Sequence, residues 1–184
     1  MVSSIRKDKA LSQVVSTLIL LVVAVLLAAV ATYYATNITM TRTENEQILL
    51  GKTHVWVNST GAIAAFKVQN LGGKDILLDK ISVRGVESSW SDVFIYRLPG
   101  GTSITDDLTV CNYSDMAGGF THDGETYSTV SGDIPLTSGS ELLVYIKDPD
   151  SIQVDDIGSS ASVSITTNNA QYITEVNVES ATTQ

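Results

Sequence analysis

The sequence is short of cysteine: Cys111 is the only one in 184 residues. A single thiol excludes an intrachain disulfide and a thiolate metal cluster, and reads as a small buried hydrophobe in a strand. A domain of this kind outside the cell must draw its durability from its core, its glycans or its assembly. Positive charge is scarce too, with 11 Lys and Arg against 20 Asp and Glu, for a net −9. Setting aside the net +2 of residues 1–10 leaves −11 on the remainder. So acidic a body repels phosphates, and no basic patch with interleaved aromatics offsets it, which excludes nucleic acid as a partner. Histidine is limited to His54 and His122, far apart in the chain. No G-x-S-x-G elbow, phosphate loop or HExxH accompanies them, so the chain is not read as an enzyme and no catalytic residue is assigned.

What the chain does have is a long apolar run. Between Lys9 and Arg42 there is no charge, and from Val14 to Ala35 nearly every residue is aliphatic or small. Three readings fit the start of the chain. A cleavable secretory signal has an apolar stretch of roughly 7–15 residues, shorter than this one. A spanning helix needs about 20 apolar residues, which Val14–Ala35 supplies, with Arg6, Lys7 and Lys9 holding the N-terminus on the cytoplasmic side. Tyr33 and Tyr34 then fall where interfacial aromatics are expected. The third reading keeps that helix and adds a cut before it.

The stretch RKDKALSQ carries the third reading. It resembles the processing site of class III signal peptides, carried by type IV prepilins and prearchaellins. There a short basic leader, ending in a charged residue plus Gly or Ala, runs straight into the hydrophobic helix. The matching residues are Lys9 and Ala10 before Leu11, so the resemblance implies cleavage between Ala10 and Leu11 and domains at 1–10 (leader), 11–50 (helix) and 51–184 (head). Bacterial pilins carry Glu at the fifth mature position. Val15 stands there, which points to the archaeal type. Ala10 and LSQVVSTLIL sit closer to archaeal pilins than to archaellins, which open differently after a Gly.

The helix is expected to continue past the membrane boundary, because no proline or glycine interrupts the chain before Gly51, a plausible C-terminal cap. From Leu11 to Leu50 it would extend about 60 Å. A helix apolar around its whole circumference must be covered on all sides, by lipid or by its neighbours. Ser12, Ser16, Thr17 and the alanines at 24, 28, 29 and 31 offer small positions for close helix approach.

Beyond Gly51 the composition turns to Ser, Thr, Gly, Asn and Asp with short alternating runs, as in all-β sandwiches. Strands are expected at 54–58, 62–70, 76–85, 93–98, 108–113, 125–130, 141–147, 161–167 and 172–178, separated by turns such as NLGGKD, LPGG and TNNA. The fold class is therefore α+β: a long N-terminal hydrophobic α-helix followed by an all-β, Ig-like sandwich head domain. FKVQNLGGKDILLDKISVRG looks like the strand–turn–strand unit of archaeal pilin and archaellin heads, and SASVSITTNNAQYITEVNVES like their closing hairpin.

Three N-x-S/T sequons, at Asn37, Asn58 and Asn112, are candidate glycosylation sites on the outward side of the membrane boundary. Asn58, in a turn before Gly61, ranks first; Asn37, on the helix, ranks last because a glycan there would crowd neighbouring subunits. Acidic pairs occur at Asp106-Asp107, Asp123/Glu125, Asp148/Asp150 and Asp155-Asp156. Clustered carboxylates can take Ca²⁺, but none follows the EF-hand spacing, so no metal or other cofactor is assigned.

The resemblance implies a self-polymerising subunit of a pilus-like, adhesive extracellular filament, held in the membrane as a precursor. Its implied partners are a prepilin or prearchaellin peptidase, an assembly ATPase and a membrane platform protein. An archaellin, the subunit of a motility filament, is the nearer alternative. A signal-anchored monomeric surface protein with an Ig-like ligand-binding domain is the more distant one.

Overall fold

The computed structural model describes residues 2–43 and 45–181. Two compact units divide the chain, Met1–Thr43 and Glu44–Gln184. The first is one helix, α1 (Val2–Thr43), of 42 residues and about 63 Å at 1.5 Å per residue. Leu and Ala favour helix intrinsically. The Val and Ile that would suit a strand find no sheet in this unit, and a helix satisfies the whole backbone within itself.

The helix ends seven residues before the expected boundary at Leu50. Ile48–Leu50, placed on the helix by their spacing, instead begin β1 (Ile48–Val57). Pairing decides it: Ile48, Leu49 and Leu50 lie opposite Asn70, Gln69 and Val68 of β2 (Ala62–Asn70), and Ile48 is buried in the core. Gly51 is accordingly a strand residue and caps nothing. A break in register between Gly51 and His54, with Lys52 at φ 51°, kinks β1 midway.

The remaining strands are β3 (Ile76–Val83), β4 (Val86–Glu87), β5 (Val93–Arg97), β6 (Phe120–His122), β7 (Glu125–Thr129), β8 (Ile134–Leu136), β9 (Glu141–Lys147), β10 (Ser160–Thr167) and β11 (Gln171–Ser180). They form one mixed, eleven-stranded sheet in the order β4-β3-β10-β11-β1-β2-β9-β5-β7-β6, with β8 paired to β3. The expected strand at 108–113 is absent, and its last residue opens a 3-10 turn at Tyr113–Asp115. The sequence reading passed over β4, β6 and β8, each of two or three residues. The closing hairpin is present, with Ser160↔Asn177 through Thr166↔Gln171 in antiparallel register. The strand–turn–strand unit is not a hairpin: β2 pairs with β1 and β9, while β3 pairs with β10, β4 and β8. The joining turn is organised by Asn70, fully buried, whose Nδ2 donates to the Lys74 and Leu136 carbonyls and whose Oδ1 accepts from Gly72 N.

Two hydrophobic clusters share the head. In the first, side chains of β1, β2, β5 and β9 meet those of β3, β8, β10 and β11, as the faces of a sandwich do, although the sheet is continuous through β11. The second lies on the opposite face of β1, β2, β5 and β9. There Trp56, Ile63, Ala65, Phe94, Leu143 and Tyr145 are roofed by Leu108, Cys111, Met116, Phe120 and Tyr127. β2 and β9 are thus buried on both faces, which is why AIAAF and LLVYI read as unbroken apolar runs rather than alternating ones.

Candidate functional site

The first feature with functional content is the apolar helix. From Leu11 to Thr41 its mean hydropathy reaches 3.0, and every side chain is exposed. These 31 residues extend about 46 Å, more than the roughly 30 Å of a hydrocarbon core. The hydroxyls in it do not break the apolar surface. Ser16 donates to the Ser12 carbonyl at 2.9 Å, Thr17 to Val14, Thr32 to Ala28 at 2.8 Å, and Thr36 to Thr32. Polar groups satisfied inside the helix carry little penalty in lipid or in a packed helical core. Tyr33 and Tyr34 stand edge to face, 6.1 Å apart. The bond between Ala10 and Leu11 lies within the helical span, and the side chains of Lys9 and Ala10 fall outside the described residues. Leu11, the first residue after the implied cut, is 71% exposed.

The sequons sit in three different settings. Asn37 is an exposed residue of α1. Asn58 begins the β1–β2 turn, where its Oδ1 accepts from Thr60 N at 2.7 Å and Gly61 N at 3.3 Å. Its Nδ2, the atom a glycan would take, donates to no acceptor among the described residues. Asn112 precedes the 3-10 turn, and its Nδ2 is held by Asp115 Oδ2 at 3.0 Å. The two head sequons are neighbours: the Tyr113 ring lies so close over Gly61 that a Cβ there would approach its Cε2 to 2.4 Å. Lys147 Nζ lies over the same ring, 4.4 Å from its centroid.

The acidic pairs are not scattered evenly. Asp106-Asp107 and Asp123/Glu125, separate in sequence, line one cleft of about 460 Å³ together with Tyr127, Leu143 and Tyr145. Asp148/Asp150 border a different, smaller depression, and Asp155-Asp156 belong to a 3-10 turn where Asp156 pairs with Arg84 at 2.6 Å. No group of three or more His, Cys, Asp or Glu among the described residues converges as a metal site would require.

Each histidine pairs with a carboxylate that lines that cleft. His54 stacks on Trp56 at 5.0 Å, and its Nε2 meets Asp107 Oδ1 at 3.0 Å, which holds the Asp107 carboxyl below its usual range. His122 lies against Thr109 and Asp123. Burial pushes the Cys111 thiol up to about 12, so it is an inert part of the second core. It sits in the irregular stretch after Leu108, not in a strand. Burial also raises the phenols of Tyr127 and Tyr145 well above their ordinary value. Tyr145 donates to the Thr109 carbonyl at 2.8 Å. Sequence reasoning missed the Tyr127 hydroxyl, because no local pattern marks which strand tyrosine will face a cleft.

A long exposed apolar helix followed by a β-sheet head defines a pilin-like order of elements. The helix is long and apolar enough to serve as a membrane anchor. No family model matches the chain, and no curated protein matches it. Among solved structures, the chain is similar to the ligand binding region of Serine-glutamate repeat protein A of Enterococcus faecium. Identity is 14%, with 75% of this chain and 98% of that one covered, at a TM-score of 0.34.

Proposed function

We propose that the chain is the structural subunit of an archaeal type IV pilus-like extracellular filament, with the acidic β head displayed outward and serving adhesion. The observation that supports this most is the charge-free helical surface from Leu11 to Thr41, exposed all round, with the hydroxyls of Ser16, Thr17, Thr32 and Thr36 turned onto the backbone. Such a surface is stable only when covered. In the precursor, lipid covers it; in the fibre, copies of the same helix do. Head-to-tail contacts related by an open rotation give a fibre rather than a ring. Cleavage between Ala10 and Leu11 by a membrane peptidase removes the cationic leader that otherwise pins the N-terminus to the cytoplasmic side.

The test is the mass of the protein recovered from cells together with electron microscopy of the cell surface. Leu11 as first residue, in protein recovered from fibres, is the expected result. Met1 retained in a detergent-extracted monomer, with no fibres, would establish the membrane-anchored surface protein instead.

A further inference from the structure

The cleft between the 103–109 segment and strands β7 and β9 brings together acidic, aromatic and apolar side chains. Four carboxylates line it, from Asp106, Asp107, Asp123 and Glu125. Lys52 Nζ donates to the main-chain carbonyls of Thr105 and Asp106 rather than to these carboxylates, and its charge helps to lower the Asp107 carboxyl. His54 pairs with Asp107, His122 lies 3.4 Å from Asp123, and the Glu125 carboxylate raises the Tyr96 phenol. A carboxylate has about four lone-pair sites, so each keeps acceptor capacity.

The floor supplies the second observation. Tyr127 is 3% exposed and lines the cleft, yet its hydroxyl has no hydrogen-bond partner among the described residues. That oxygen opens on the cleft rather than into the core, so it finds no protein partner. Its neighbour Tyr145 does, on the Thr109 carbonyl. Leu143 and Leu108 add apolar wall. Among the described residues these carboxylates do not converge as a metal site requires, and a cation with several donors suits such a lining better.

We propose that this cleft binds a small organic cation, a primary ammonium on a short aliphatic stem. Its N–H groups donate to the Tyr127 oxygen and the surrounding carboxylates while the stem lies on the leucine wall. About 460 Å³ accommodates a molecule of diamine size with room for bridging water. The inference stands on the head alone and does not depend on the filament reading.

The experiment titrates putrescine into the full chain in non-ionic detergent at low ionic strength, with binding heat as the readout and 1,4-butanediol as the uncharged control. Saturable one-site binding of putrescine is expected, with none for the diol. Tyr127→Phe should weaken it about fivefold, as loss of one hydrogen bond implies. Asp106→Asn with Glu125→Gln should weaken it about tenfold or more, as loss of charge-assisted bonds implies. Asp133→Asn, an exposed acid outside the cleft, should leave it unchanged. If Tyr127→Phe does not fold, the Asp106→Asn, Glu125→Gln variant decides. No saturable binding, equal binding of the diol, or equal weakening by Asp133→Asn would each overturn the proposal.

Discussion

Lys67 and Glu141 form an ion pair at 3.3 Å inside the head, with the residues 8% and 4% exposed. They sit diagonally on adjacent strands, since Lys67 lies opposite Leu143 and Glu141 opposite Gln69. Beyond Glu141, Lys67 reaches the Ser103 hydroxyl, at 3.4 Å, and no other side chain among the described residues. The pair therefore fixes the edge of the second core to the segment that roofs it.

Removing one partner leaves the other charge buried and unpaired. Lys67→Met or Glu141→Leu alone should lower unfolding free energy by about 3–5 kcal/mol, whereas the double variant should recover most of that loss. Denaturant titration of the three variants checks this, and equal losses in single and double variants would contradict it.

Gly72 and Gly51 should respond oppositely to alanine. A Cβ on Gly72 would lie 2.5 Å from the Asn45 carbonyl and 2.9 Å from Gln47 N, both rigid backbone. The same turn donates Leu71 N and Gly72 N to the Gln47 carbonyl. Gly72→Ala should destabilise the head by about 1–3 kcal/mol, as overpacking does. Around Gly51 there is open space, so Gly51→Ala should be neutral or stabilise by about 0.5–1 kcal/mol, as for a strand residue. A large loss at Gly51 would instead revive the helix cap.

Acid should weaken the head through Asp107 and Asp156. His54 holds the first carboxyl below its ordinary value of 3.8, and Arg84 does the same for the second. A folded-state value below the unfolded one gives stability that is complete above the unfolded value and lost as pH falls through the folded one. The loss should therefore fall below about pH 4. Asp156→Asn and Asp107→Asn should each flatten the fall in melting temperature between pH 5 and pH 2.5, about 5 and about 2.5 being the ends of that scan. An unchanged slope would argue against both pairs.

Glycan occupancy should separate the sequons. The Asn58 amide nitrogen is uncommitted in an exposed turn, while that of Asn112 is tied to Asp115. Intact mass of protein from its native cells should drop by a glycan in Asn58→Gln and stay constant in Asn112→Gln. The reverse pattern would show that the Asp115 contact yields to the modifying enzyme.

Much of the head was legible because its signals are local. The two-faced strands at 62–70 and 141–147 are found at the residues expected, since continuous burial leaves a continuous apolar run. The alternation of Ala161, Val163 and Ile165 with Ser162 and Ser164 marked β10 just as clearly. The helix end was misread because Ile48 and Leu50 suit a helical stripe and a strand equally, and only the partners on β2 choose between them. At 108–113, Leu108 and Cys111 point into the second core without a ladder partner, so apolar spacing alone imitated a strand. The cleft was illegible for a different reason. Its acidic pairs come from stretches that meet only when β7 and the 103–109 segment pack over β9.

The final strand does not finish the sheet at its rim. Val178, Glu179 and Ser180 lie in parallel beside Val55, Trp56 and Val57, in the middle of the strand order. The first and last segments of the head must therefore find each other across more than a hundred residues, a separation that slows folding. Until β11 is in place, the two halves of the sheet lack the strand that pairs with both β1 and β10. Loss of β11 would leave two half-sheets facing each other across the first core with no hydrogen-bonded strand between them.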